Sequence, residues 1–353
     1  MFDYAGCIHF HSSYSYDACQ PVDQIVRSAL DAGLDYAVLT DHFNLDARRD
    51  GWERYHQARE KKLLLIVGEE ISPRYNHYLA LDLRSPLVVS KTELHAQDVI
   101  NAVNAQGGFG FISHPDHAGA PFAGVRAYPW VDWNVKGFAG LSIWDLMGDW
   151  ISSLSSPWGV ARALLCPSSV LNGPLPQTLG RWDELAQRFH CVAIGEIDNH
   201  GTRKRIAGFP RTLFPFEYAF RTIRTHVLLA QPLTGSLECD RAAVLNALRQ
   251  GQSYVSFDLW NDPRGFQFEI FDASQRAGMG GQLALKGPLL VEVKIPAPGR
   301  IRLIRNGRVI REEQSRAYLE RDIDLPGVYR LQVDQRVRGC WRPWIFSNPI
   351  WVK

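Results

Sequence analysis

Residues 5–42 read AGCIHFHSSYSYDACQPVDQIVRSALDAGLDYAVLTDH, and the fold class is decided there. Ala5 to His9 is a short apolar run of strand type that leads into an H-x-H, His9 and His11. Pro21 then opens an amphipathic segment whose apolar residues recur at three- and four-residue spacing, and Gly33 stands where such a helix stops. Tyr36 to Thr40 is a second apolar run, closed by Asp41 and His42. Strand, helix and strand in succession make a βα unit, which brings polar residues at successive strand ends to one side of a parallel sheet.

The same alternation continues to about residue 230, with further strands expected at Leu64 to Gly68, Tyr78 to Leu83, Gly110 to Ser113, Gly140 to Trp144, Cys191 to Ile197 and His226 to Ala230. TELHAQDVINAVNAQGG repeats the helix pattern, with Thr92 as N-cap and Gly107-Gly108 as the stop. Parallel strands joined by helices point to a barrel or an open sheet. Beyond about residue 230 one helix, Arg241 to Arg249, precedes short alternating runs punctuated by Asn306-Gly307 and Pro326-Gly327, the pattern of a small antiparallel β-sandwich. Two domains, 1–230 and 231–353, are expected, joined through a packed interface.

Composition narrows the function. With 46% hydrophobic and 22% charged residues in 353 the chain is of ordinary globular type, and a net charge of +2 supplies no field for a nucleic acid polymer. No apolar run nears the ~20 residues that span a bilayer, and the N-terminus has no signal-peptide pattern, so the expected setting is cytoplasmic. Six scattered cysteines without CxxC pairing suggest buried thiols, neither disulfides nor a zinc ribbon. The expected partner is a small molecule, and the oligomeric state is left open.

Chemistry gathers at the strand ends. His9 and His11, Asp17, His42, Glu70, His77, His114, Asp198 and His200 supply nine nitrogen or carboxylate donors at or just after successive strands. Mixed imidazole and carboxylate suits Mn²⁺, Fe²⁺ or Zn²⁺ better than the all-oxygen cages of Ca²⁺ or Mg²⁺. Nine donors exceed the need of one ion, so two or three divalent ions bridged by a carboxylate are implied, and adjacent cations can acidify a shared water to hydroxide.

The motifs HFHSSYSYD, LTDH, GEE, NH, SHP and D-N-H resemble the PHP family of polymerase and histidinol phosphatase-like metallohydrolases, over roughly the first two thirds of the chain. The resemblance implies a distorted (β/α)7 barrel with three metals: His9, His11, Glu70 and Asp198 around one, Glu70 bridging to a second held by His77 and His114, and Asp17, His42 and His200 around the third. It implies hydrolysis of a phosphomonoester of the nucleotide or sugar phosphate class. Tyr16 stands where many members carry the acid, which moves that role to Asp17, and Ser142 replaces a glutamate often found there. Glu69 competes with Glu70 as the bridge, and the G-x-E pattern favours Glu70. Asp41 is read as a partner that orients a ligand histidine. The C-terminal segment resembles the tail of PHP proteins named for carbaryl hydrolase, so carbamate or carboxylic ester cleavage stands as an alternative, with a non-catalytic metal-binding module as another.

Glu70 and Asp198 are the expected catalytic carboxylates, and Arg74 and Arg203 the expected clamps on a phosphoryl group, by proximity to the assigned ligands. His117 reads as a loop histidine rather than a general acid; His56, His95, His190 and His226 read as packing residues. Trp341, Trp344 and Trp351 read as sandwich core or interdomain filler.

Overall fold

The structure, a computed structural model, describes residues 1–87, 95–206 and 208–353, so the expected N-cap Thr92 lies outside the described residues. Strands β1 (Phe2–Ile8), β2 (Tyr36–Leu39), β3 (Arg54–Ala58), β4 (Lys61–Val67), β5 (Glu69–Ile71), β6 (Tyr78–Leu81), β7 (Phe109–Ile112), β8 (Gly140–Asp145) and β9 (Val192–Glu196) surround the site. The first helix spans Val22–Ala32 with Pro21 at its N-cap, and Gly33 closes it at φ 74°, its N–H reaching the Ala29 and Leu30 carbonyls. Val22, Ile25, Val26, Ala29 and Leu30 are its buried stripe, as their spacing requires. A second helix, Ala96–Ala105, buries Ala96, Val99, Ile100 and Val103.

The architecture is mixed α/β, and the described ladders do not close into a barrel. β5 to β9 form one five-stranded sheet, while β1, β2, β3 and β4 belong to a fourteen-stranded one. Two isolated parallel bridges, Phe10 with Asn199 and His42 with Glu70, tie the two sheets at the end where the donors lie. Nor is the first region all parallel, since β3 with β4, β5 with β6 and β6 with β7 run antiparallel. For β5 with β6 the reason is chain length, since residues 72–77 are far too few for a crossover helix, which takes roughly a dozen residues or more, and the two residues between β3 and β4 allow only a hairpin.

The hairpin β10 (Arg203–Ile206) and β11 (Phe209–Thr212) and strand β12 (Ile223–Leu229) follow. β12 pairs antiparallel with β1 on one side and with β13 (Ser253–Phe257) on the other, after helix Leu237–Gln250. Gly195 lets β9 approach this pair, because a Cβ there would stand 2.5 Å from Val255 Cγ1 and 2.7 Å from Ile223 Cγ2.

The C-terminal strands are β14 (Gln267–Phe271), β15 (Arg276–Gly278), β16 (Gln282–Leu283), β17 (Leu289–Arg305), β18 (Arg308–Ile323), β19 (Gly327–Val337), β20 (Cys340–Ser347) and β21 (Ile350–Val352). Their ladders are antiparallel apart from β16 with β21. β17 and β18 form one long hairpin, turned at Asn306 (φ 51°) and Gly307 (φ 78°) as the Asn-Gly pair predicts. They enclose a second apolar cluster that includes Leu289, Val291, Ile301, Leu331 and Trp344. The first cluster reaches past residue 230, through Val244, Leu248 and Phe257, and takes in Val328, Phe346 and Trp351. The join is more than a packed interface, because β12 on one side of it pairs with β13 on the other, and β13 with β20, so the fourteen-stranded sheet runs through it. Trp344 and Trp351 are buried, and Trp351 Nε1 donates to Ala186 O at 2.7 Å; Trp341 instead lies half-buried under Arg300. Of the cysteines, Cys7 and Cys191 are buried but Cys19, Cys166, Cys239 and Cys340 are exposed, the latter four standing in loops or at element ends.

His226, read from the sequence as packing, is a buried ion-pair centre where this sheet passes through the join. Its Nδ1 lies 2.7 Å from Asp3 Oδ1 and its Nε2 3.0 Å from Asp258 Oδ2. Burial pulls the imidazole down, but Asp258 and Asp3 outweigh it and push its pKa up to about 9. A histidine raised above its unfolded value stabilises fully below pH ~6.5 and loses that contribution as pH rises through about 9. The shift corresponds to about 3 kcal/mol. His226→Gln should therefore remove most of the fall in Tm between pH 6.5 and 9.5, and parallel wild-type and variant curves in a thermal melt series would refute this role.

Candidate metal centre

The donors stand on tight turns where strands end. His9 (φ 65°), His114 (φ 26°) and Asp198 (φ 44°) all take left-handed backbone, a strained conformation for residues with a Cβ that collects at functional sites. Strand alternation is therefore not what aligns His9 with His11: β1 ends at Ile8, and the turn at His9 with the Phe10 bridge brings both rings round.

Three groups of donors result. His9, His11, Glu70 and Asp198 converge, as do Glu70, His77 and His114, and as do His11, His42 and His200, in each case with one donor atom per residue within 4.8 Å of the others. In the first group His9 Nε2 lies 3.1 Å from His11 Nε2, 3.3 Å from Glu70 Oε2 and 3.2 Å from Asp198 Oδ1. His11 Nε2 lies 3.4 Å from Glu70 Oε2 and 3.3 Å from Asp198 Oδ1. Donors roughly 2.0–2.2 Å from one cation stand about 3.0 Å apart in octahedral and about 3.4 Å apart in tetrahedral arrangement, which is this range. Glu70 Oε1 faces the second group, 2.9 Å from His77 Nδ1 and 3.5 Å from His114 Nε2. Asp17 Oδ2 lies 3.3 Å from His42 Nε2 and 3.5 Å from His200 Nε2, so the one-place shift past Tyr16 still delivers a carboxylate.

Hydrogen bonding around the rim aims these rings. Glu196 Oε2 takes the Nδ1–H of His9 at 2.9 Å, which leaves the Nε2 lone pair facing inward. Ser15 Oγ donates to Asp41 Oδ1 and so accepts from His11 Nδ1 at 3.1 Å, with the same effect. Asp41, which also accepts from the Ser12 N–H and hydroxyl, thus orients His11 through Ser15. The Pro73 carbonyl accepts from His77 Nε2 and the Asp198 carbonyl from His200 Nδ1. His77 Nδ1 is then an acceptor 2.9 Å from the acceptor Glu70 Oε1, an arrangement that needs a cation or a proton between them. Burial holds the His77 pKa below its ordinary value, which disfavours the proton. Glu70 Oε2 and both nitrogens of His114 are buried without a well-directed hydrogen bond.

The field agrees with the geometry. Burial lowers imidazoles, yet Glu70 with Asp17 pushes His42 up to about 10, and Glu70, Glu196 and Asp198 push His114 up to about 9. Burial raises carboxylates, yet Glu70 and Asp198 are held well below the usual range, His9 being the largest opposing influence on each. The pocket thus concentrates negative charge that cations satisfy, and the residues present fit a cluster of divalent metals.

Glu69 is turned away, accepting from Leu87 N at 3.0 Å, with burial pushing its pKa up to about 7. Glu196 escaped the sequence reading, although GEIDNH spaces it two residues before Asp198, the interval that keeps a strand residue on one face. It also accepts from Ser113 Oγ and His114 N, so Glu196→Gln should weaken metal binding about 10–100-fold in a competitive chelator titration while the fold persists. Unchanged affinity would reduce Glu196 to packing.

Donors from all three groups, Glu70, Asp198, His77, His42 and His200, open with Asp17 on a cavity of about 340 Å³ whose lining also includes Tyr16, Arg74, Arg126 and Tyr128. Arg74 is exposed, its Nη1 donating to Ala127 O at 2.7 Å. Arg203 stands exposed on β10 and is absent from this lining; Arg126, which the sequence reading missed, is present.

Mixed α/β sheets with imidazole and carboxylate donors converging at the sheets' joined end make a candidate centre for divalent metals, of the kind that metal-dependent hydrolases use. Residues 8–127 match the PHP domain model, and the chain contains a PHP domain. The match takes in His9 to His114 and stops short of Asp198 and His200. No curated protein matches the sequence. Among solved structures the chain is similar to a two-domain protein from Bacteroides vulgatus ATCC 8482 containing a predicted PHP-like metal-dependent phosphoesterase, at 13% identity and TM-score 0.45 over 99% of this chain and 95% of that one. It is also similar to endonuclease Q bound to a duplex with an abasic lesion (13% identity, TM-score 0.37, 70% and 57% covered). An amidohydrolase from Chromobacterium violaceum with bound sulfate is a third (12% identity, TM-score 0.32, 60% and 92% covered). No helix among the described residues is long and apolar enough to cross a membrane.

Proposed function

We propose that the chain hydrolyses a phosphomonoester of a small molecule, with two or three divalent ions (Mn, Fe or Zn) held by His9, His11, Asp17, His42, Glu70, His77, His114, Asp198 and His200. One observation carries this reading: the two oxygens of Glu70 face two different donor groups beside a cavity that also presents Arg74 and Arg126. When bound, the cations supply Lewis acidity and a water acidified toward neutral pH. The protein's own part is positional. Glu196 and Asp41 hold His9 and His11 in the tautomers that direct Nε2 inward, and the guanidinium groups meet the phosphoryl oxygens and their growing charge.

The arginines give a graded prediction. Arg126→Ala should raise KM for a phosphomonoester about tenfold with a smaller change for a neutral ester, and Arg203→Ala should leave both within about twofold. Equal effects on the two ester types would make Arg126 structural. The reaction class itself is tested by p-nitrophenyl phosphate against p-nitrophenyl acetate with the metal-loaded protein. Faster phosphate release supports the reading, and faster acetate turnover replaces it with the carboxylic ester alternative.

A further inference from the structure

At the end of the five-stranded sheet opposite the metal donors lies a cavity of about 650 Å³ that the reaction above does not use. β7, β8 and β9 run parallel, with His114 and Asp198 just beyond the C-terminal ends of β7 and β9. The cavity is at their N-terminal ends, where Phe109, Ala139 and His190 line it. Phe109 and His114 are separated by a strand's length, roughly 15 Å of extended chain, so this place is separate from the metal centre.

Cations converge on it from three parts of the chain: Lys136 from the loop before β8, Arg188 from the turn after helix Pro176–Ala186, and Arg249 from the last turn of helix Leu237–Gln250. Among the described residues none of the three pairs with a carboxylate, and no aspartate or glutamate lines the cavity. One role for these charges is to offset helix ends, since Asn104, Leu185 and Gln250 line the cavity and belong to the last turns of three helices. Each such end carries roughly half a negative charge, so three cations leave a surplus of about one and a half positive charges. The Lys136 loop is held in place: Gln97 accepts from Lys136 N at 2.8 Å and donates to its carbonyl at 2.9 Å, and Asn104 Nδ2 donates to Gly137 O at 3.0 Å. The surplus is thus presented from fixed backbone.

Charge and shape then select the occupant. Phe109, Val135 and Phe138 give the cavity buried apolar walls, Trp133 is half-buried, and Phe189 is 38% exposed. Aromatic faces beside guanidinium groups suit a flat ring that carries negative charge, and the volume falls within the roughly 300–1,000 Å³ of small-molecule sites. We infer that this cavity binds a small organic anion in which an aromatic ring carries a phosphate or a carboxylate. The charged group meets Arg188, Arg249 and Lys136, and the ring lies against the aromatic walls. Arg188 precedes the join near residue 230 and Arg249 follows it, so the bound anion also ties the two parts of the chain together. This site does not rest on the phosphoesterase reading.

The probes are 2-naphthoate and 2-naphthyl phosphate, titrated calorimetrically into the metal-free full chain at low salt, with 2-naphthol and inorganic phosphate as the separate halves. One or both anions should bind once per chain, the tighter of the two assigning the charged group, and each half should bind about tenfold or more weakly. Arg188 and Arg249 are exposed, so Arg188→Gln and Arg249→Gln should each weaken binding about tenfold with little change in Tm. Arg126→Ala, in the metal-side cavity, should leave the affinity as it is. Failure of both anions to bind would overturn the site, and naphthol binding as tightly as the anions would overturn its charge selection. Affinity lost in Arg126→Ala but kept in Arg188→Gln and Arg249→Gln would place the anion at the metal centre and overturn the inference as well.

Discussion

Replacing Glu70 with glutamine should lower phosphoester turnover about a thousandfold or more and reduce the metal content of the protein. The expectation follows from the division of its carboxylate, with Oε2 toward His9 and His11 and Oε1 toward His77 and His114. An amide offers one oxygen in place of two and turns an N–H donor toward one group, where it meets lone pairs instead of a cation. Both groups lose a donor at once, and the negative charge that holds the cations together goes with it. Glu69→Gln is the matched control, because that carboxyl accepts from Leu87 N and faces neither group. Elemental analysis beside kcat decides the matter: full metal content in Glu70→Gln would contradict a bridging carboxylate.

A large effect on stability is expected far from this chemistry. Asp183, on helix Pro176–Ala186, holds Arg330 of β19 through two contacts of 2.7 Å, with the two residues 8% and 3% exposed. Removing the aspartate strands a guanidinium in the join between the two apolar clusters, which costs about 3–5 kcal/mol because the remaining charge is buried without its partner. Asp183→Ala should lower Tm by roughly 5–10 °C. Asp183→Ala with Arg330→Met should recover most of the loss, since an apolar replacement of the whole pair removes the stranded charge. A double variant as unstable as the single one would show that the pair itself, and not the unpaired charge, sets the stability of the join.

The first βα unit was legible because its signals agree: Val22 to Leu30 carry a helical stripe, Gly33 a left-handed stop, and Tyr36 to Leu39 a wholly buried strand. The donor positions were legible for a related reason, since strand ends are where a sheet presents side chains to a common space, whatever path the chain takes between them. What the pattern could not reveal was pairing. β5 is three residues long and follows β4 across Gly68 alone, and no local signal distinguishes a parallel from an antiparallel neighbour there. Helices Leu146–Ser152, Pro157–Leu165 and Pro176–Ala186 were passed over, although Ser156 before Pro157 is an N-cap followed by a first-turn proline. Within the site, Glu196, Ser15 and Arg126 escaped because their roles depend on contacts with residues distant in the chain or on the shape of a cavity. Arg203 was named on the opposite ground, nearness in sequence to His200, and the hairpin carries it out to the surface.

The account stands or falls on whether cations lie on both sides of one carboxylate. Crystals of the full chain grown with Mn²⁺ and recorded at the manganese edge should show anomalous peaks flanking Glu70, one among His9, His11 and Asp198 and one beside His77 and His114. A map from saturated crystals with no peak at Glu70, or with manganese bound only elsewhere on the molecule, would contradict it.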